Sequence, residues 1–191
     1  MKTDNIKVRV QDTPNPYALK FIVNYPLKNV GKATFSALPE AEGMPLVEGL
    51  LNLLGVKQVY VFENTATVTH DGQLPASEIK NFAEAVIKTR LPVHNADFVS
   101  QKEEVEKRQG RKDHDDEAVN NMEEILDRTI RPGLQADGGD LEIISYENNE
   151  LRIMYQGACG GCPSAMMGTL DAIQGILRQE LSDPDLLVVP V

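Results

Sequence analysis

Tryptophan is absent, aromatic residues make up only 5% of the chain, and cysteine occurs twice in 191 residues. The two cysteines, Cys159 and Cys162, are separated by two residues. That spacing cannot staple distant parts of a chain, so a disulfide framework is excluded and the pair must be read for its chemistry. No run of about 18 or more apolar residues exists, which excludes a helical membrane span. The opening Met-Lys-Thr-Asp-Asn has no apolar stretch, and Asp4 and Asp12 lie close behind it. A secretory or transit segment is therefore not expected, and the chain reads as cytoplasmic and bacterial, with a trimmed organellar protein as the alternative. Cations are too few for a polyanion: the net charge is −10, which excludes nucleic acid as a natural partner. His70 and His94 are isolated in sequence and read as packing or surface residues rather than ligands.

The acidity is one-sided. The first hundred residues hold ten cationic and ten anionic side chains, so the whole excess lies in the second half. Between the halves, twelve of the seventeen residues from Gln101 to Glu117 are charged, and Val105 is the sizeable apolar one. Such a stretch buries too little surface to offset its ordering entropy. The expected organisation is a unit at 1–100, a charged linker (or an exposed helical extension of a neighbouring unit) at 101–114 and a second unit at 115–191. The fold class is α+β, each unit a mixed or antiparallel sheet packed with helices.

In the first unit, Ile6, Val8 and Val10 alternate with Lys7 and Arg9, the period of a half-buried strand. Thr13-Pro14-Asn15-Pro16 interrupts it as a rigid turn, and Leu19, Phe21 and Val23 resume it. Pro45 opens a helix whose face is Leu46, Leu50, Leu53 and Leu54, with Gly55 as its C-terminal cap. Val59 and Val61 run into a hairpin at Glu63-Asn64-Thr65. Ser77 is the expected cap of a second helix carrying Ile79, Phe82, Ala83 and Val86, which Pro92 ends. This half holds no convergent catalytic set.

In the second unit, Val119, Met122, Ile125, Leu126 and Ile130 recur at helical spacing, and Pro132-Gly133 closes that helix. Asp137-Gly138-Gly139-Asp140 makes a tight loop. Two strands, around Leu141–Tyr146 and Leu151–Gln156, are joined by a turn at Glu147-Asn148-Asn149-Glu150. They deliver the chain to Gly157-Ala158-Cys159-Gly160-Gly161-Cys162-Pro163-Ser164. Pro163 then starts a helix with Met166, Leu170, Ile173 and Leu177 on one face, and Leu186–Val189 adds an edge strand.

The cysteine loop thus lies where a strand hands over to a helix N-terminus. Partial positive charge and free N–H groups there favour thiolate, the form that binds metal or attacks disulfides. Gly160 and Gly161 leave their amides open to sulfur. Four readings follow from the residues: structural thiols, a thioredoxin-like dithiol, zinc held by a dimer's four thiolates, and an iron–sulfur cluster shared by two chains. Ligand type alone does not separate zinc from iron.

Leu134-Gln135-Ala136-Asp137-Gly138-Gly139-Asp140-Leu141 followed by Gln156 to Ser164 resembles the C-terminal domain of NifU, shared by the Nfu-type iron–sulfur carriers. Thr13-Pro14-Asn15-Pro16 with Leu19-Lys20-Phe21, and Gly55-Val56 with Val59–Phe62 and Ala66–Thr69, resemble the N-terminal domain of the two-domain Nfu proteins. The resemblance implies a carrier, not an enzyme. It implies a labile [4Fe–4S] cluster bridging a homodimer, with Cys159 and Cys162 as ligands. It also implies an upstream assembly scaffold as donor and apo iron–sulfur proteins as acceptors. Ser164-Ala165 stands where that family often has Ser-Ser.

Overall fold

Alternating Val8 and Val10 set the first strand. The structure, a computed structural model describing residues 5–100, 117–160 and 163–191 (the backbone alone for 163–167), places β1 at Val8–Asp12. Strands β2 (Ala18–Val23), β3 (Lys32–Phe35), β4 (Val56–Phe62) and β5 (Thr65–His70) join it in an antiparallel sheet of order β1-β2-β5-β4-β3. The expected hairpin is there, with Glu63 in the left-handed region at its turn. Helices α1 (Pro45–Leu51) and α2 (Ala76–Arg90) cover one face of the sheet. Their Leu46, Val47, Leu50, Ile79 and Ile87 meet Phe21, Val23, Val59, Val61 and Val68 in one core. Each such side chain contributes about 1.5–3 kcal/mol when fully buried.

Three details of the first unit differ from expectation. Helix α1 ends at Leu51, so Leu54 leaves its face and is 63% exposed. Helix α2 starts one residue before Ser77, and its N-terminal carbonyl comes from Pro75, whose backbone is fixed for a helix entry. Phe82 points outward, because three apolar positions already fill the stripe of α2.

In the second unit, α3 (Glu117–Thr129) buries Val119, Met122, Ile125 and Leu126 as expected. Pro132 does not close this helix. It sits in the first turn of a further one, α4 (Arg131–Ala136), where its missing N–H costs nothing. Strands β6 (Gly139–Glu147) and β7 (Glu150–Gly157) form a hairpin whose Asn148 and Asn149 both take positive φ. Helix α5 (Pro163–Leu181) follows, and β8 (Leu187–Pro190) pairs parallel with β7 at the sheet edge. Met122, Leu126, Leu141, Leu151, Ile153, Ile173 and Leu177 form a second, separate core. The stretch expected as a linker at 101–114 lies outside the described residues.

The second face of the large sheet is covered too. Ala18, Lys20, Tyr60 and Thr67 alternate with core residues along β2, β4 and β5, yet all are buried. The second unit lies on that face, with β7 against β4 and β5. Periodicity in one strand tells which residues share a face, and here both faces have cover.

Candidate functional site

The cysteine loop is built on a backbone knot at the mouth of the β6–β7 hairpin. Gly139 pairs with Gly157 at the end of the ladder, and the Ala158 N–H donates to the Gly138 carbonyl at 3.1 Å. Gly160 N–H donates back to the Gly157 carbonyl at 3.2 Å, closing a turn around Ala158 and Cys159. Gly139 has no room for a side chain: a Cβ there would stand 2.4 Å from Cys159 Sγ and 2.8 Å from both Cys159 N and Gln156 O. Gly157 has φ +61° and equally little room, with Gly138 O 2.5 Å from where a Cβ would be. Gly139 is therefore the floor on which the sulfur of Cys159 rests, and Gly157 packs against the backbone beside it.

Cys159 is half-buried and packs against the second core. Pro14, Leu134, Asp137, Ala158, Cys159 and Thr169 line a small cleft beside it. Cys162 lies outside the described residues.

The protonation of Cys159 differs from expectation. Burial, with the carboxylates of Asp137 and Asp140 nearby, pushes its thiol up to about 12. The helix begins at Pro163, four residues downstream, and its terminal charge does not offset these effects. The metal-free loop therefore holds a thiol. Because the alkylating species is thiolate, iodoacetamide should label Cys159 more slowly than an ordinary cysteine at pH 8. The rate should keep rising beyond pH 9, as peptide mapping of the labelled chain would register.

Asp140 is the electrostatic hub behind the loop. It is fully buried, and its carboxylate meets Lys32 Nζ at 2.8 Å and Arg131 Nε at 3.3 Å. It accepts from Gln135 Nε2 at 3.0 Å, from the Tyr60 hydroxyl at 3.4 Å and from the Leu141 N–H at 2.7 Å. Arg131 also pairs with Glu123 and Asp127, which hold its guanidinium charged against the pull of burial. Desolvation lowers the Lys32 ammonium, and Asp140 opposes that shift. Removing one member of a buried charge pair leaves the others uncompensated. Asp140→Ala should therefore cost about 2–3 kcal/mol, discounted because Lys32 keeps some water. Urea denaturation of the full chain would measure it.

Sequence reasoning missed Asn15. Its side chain is completely buried, and its Nδ2 donates to the Gly160 carbonyl, in the cysteine loop, at 2.6 Å. Its Oδ1 accepts from Tyr17 N–H, and the Thr13 hydroxyl donates to the Asn15 and Ala18 carbonyls. The Thr13-Pro14-Asn15-Pro16 turn is therefore tied by its own hydrogen bonds, and it is also a contact. The only signal in the sequence was a polar residue between two prolines. His70 packs edge-on against Tyr17, and His94 Nε2 is 2.7 Å from the Leu27 carbonyl; among the described residues no group of three or more His, Cys, Asp and Glu side chains gathers to hold a metal ion.

Two family models match the chain: "Scaffold protein Nfu/NifU N terminal" over residues 8–94 and "NifU-like domain" over residues 122–186. Among curated proteins, "NFU1 iron-sulfur cluster scaffold homolog, mitochondrial" of Drosophila persimilis is 33% identical over 177 residues, covering 90% of this chain and 60% of that protein. "NifU-like protein 4, mitochondrial" of Arabidopsis thaliana is 29% identical over 178 residues, covering 92% of this chain and 63% of that one. The chain thus spans about 60% of the length of these relatives. A solution structure of a NifU-like protein from Saccharomyces cerevisiae aligns with 50% of this chain and 86% of its own, at 19% identity and a TM-score of 0.43. The expectation of a cytoplasmic, bacterial protein is corrected by these relatives, which are named as mitochondrial. With so much of their length unmatched, the composition of the first residues does not bear on compartment.

Proposed function

We propose, from the premise that this chain belongs to the NifU/Nfu family of iron–sulfur cluster scaffold proteins, that it carries a [4Fe–4S] cluster between two copies of itself and hands it to apo-proteins. Cys159 and Cys162 are the proposed ligands, and the cluster is cargo. An upstream assembly scaffold supplies it, and apo iron–sulfur proteins take it. The same proposal divides the chain into an Nfu-like unit at 1–100, a linker at 101–114 and the cysteine-bearing unit at 115–191.

The observation that carries the reading is the half-buried sulfur of Cys159 on a glycine floor, in a chain that has one other cysteine. A [4Fe–4S] cluster is held by four thiolates, so one chain offers half a cage and a two-fold axis completes it. Half a cage suits a carrier. Each chain grips by two bonds, and an acceptor cysteine can replace one thiolate at a time. Loading must remove the proton from Cys159, which couples uptake to proton release. A dithiol oxidoreductase depends on a lowered thiol pKa, and the raised value at Cys159 disfavours that alternative.

The test is transfer. The loaded chain, mixed anaerobically with a metal-free [4Fe–4S] enzyme, should lose its visible absorption as the enzyme gains activity. Retention of the cluster in the presence of excess acceptor thiols would contradict the proposal.

A further inference from the structure

We infer that the Thr13–Pro16 turn of the first unit is a cap on the cysteine loop, latched by Asn15, and that it must lift before the loop can meet a second copy of the chain. The purpose of the cap rests on the carrier reading; its geometry does not.

The contacts converge on the loop and its supports. Asn15 Nδ2 holds the Gly160 carbonyl at 2.6 Å, one residue from Cys159, and Pro14 lines the cleft beside the sulfur. Gln58 Oε1 accepts from Gly157 N–H at 2.9 Å, at the base of the loop. Lys20 Nζ donates to the Ala136 carbonyl at 2.6 Å and the Gln135 carbonyl at 3.3 Å, capping the C-terminal end of α4. Lys32 reaches Asp140 from the same sheet face.

These hydrogen bonds and ion pairs surround the buried Ala18 and Tyr60, and several end on backbone carbonyls. Water can replace each of them when the units part. Polar interfaces between units of one chain resemble transient complexes, and relative motion is their default. Two lysines of a neutral half also meet the half that holds all the excess negative charge, so the attraction is electrostatic and adjustable.

A cluster shared across a two-fold axis needs the two loops face to face. Asn15 and Pro14 already occupy the approach to Gly160 and Cys159. The first unit and a second copy therefore compete for one surface. The metal-free chain is a closed monomer, and the loaded dimer is open.

The test uses the full chain. Asn15→Ala removes the donor to the Gly160 carbonyl and brings no charge near the Cys159 sulfur. Losing one hydrogen bond corresponds to about a tenfold shift in opening. At fixed pH, iodoacetamide should label Cys159 about tenfold faster in this variant than in the unsubstituted chain. An unchanged rate in a folded variant would overturn the cap. A second measurement needs no substitution: hydrogen exchange at the Gly157 amide should accelerate when the chain is loaded with iron and sulfide, because Gln58 has moved away. Equal or slower exchange in the loaded form would overturn the cap as well. Faster labelling in a chain that never takes up iron would uphold the cap and defeat the carrier reading. Normal loading with unchanged labelling and exchange would do the reverse.

Discussion

Cys159→Ala and Cys162→Ala, made separately, are each expected to abolish cluster binding. Anaerobic reconstitution should fall from about four irons per two chains to background. The loss is total because the pair is the entire thiolate supply: two cysteines per chain give four in a dimer, and one substitution leaves two. A graded weakening is not expected, since a half-ligated cubane exposes iron to water on both sides. The fold should survive. Cys159 is half-buried at the margin of its core, and alanine is smaller than cysteine, so no clash arises. Far-UV circular dichroism and the denaturation midpoint should change little. Binding that persists in either variant would remove that residue from the ligand set.

Gly139→Ala should strongly destabilise the second unit. The new methyl group would meet Cys159 Sγ at 2.4 Å and two backbone atoms at 2.8 Å. The sulfur can be displaced cheaply, but the backbone atoms belong to Cys159 and Gln156, which the end of the β6–β7 ladder holds in place. Relief therefore requires opening that ladder or tilting the loop. A cost of about 4 kcal/mol is expected, at the upper end for overpacking. For a unit of this size that corresponds to a melting temperature lower by about 15–30 °C. Calorimetry of the full chain should place the loss in the second unit. A variant that melts as the unsubstituted chain does would show that the glycine floor is not needed. Gly133→Ala is the control, since nothing lies within 4 Å of a Cβ at that position.

Much of the architecture was legible because it is local. Alternation along β1, β2 and β6, and the Glu63-Asn64 and Asn148-Asn149 turns, need only neighbouring residues to act. The cysteine loop was legible for the same reason: its glycines, cysteines and proline are contiguous. The misses share a different cause. Lys20 and Thr67 are polar residues on strands, which ordinarily face water, and no local pattern says that a second unit covers them. Asn15 finds its partner 145 residues away, and Tyr60 reaches Asp140 across 80. The raised pKa of Cys159 depends on Asp137 and Asp140, which the fold brings beside the sulfur and the sequence leaves about twenty residues upstream. Pro132 and Ser77 were misplaced on a smaller scale. A proline reads equally as the end of one helix or the start of the next, and a serine two residues after Pro75 looks like a cap until the proline's fixed backbone takes that place.

The central claim is that each chain provides half of a cluster's ligands and a second copy provides the rest. Iron and sulfide quantification on anaerobically reconstituted protein, beside its molar mass in solution, addresses it most directly. The account predicts about four irons and four sulfides in a particle of two chains, and a single chain once the cluster is removed. A full cluster on one chain, or a dimer that binds zinc and refuses iron, would contradict it.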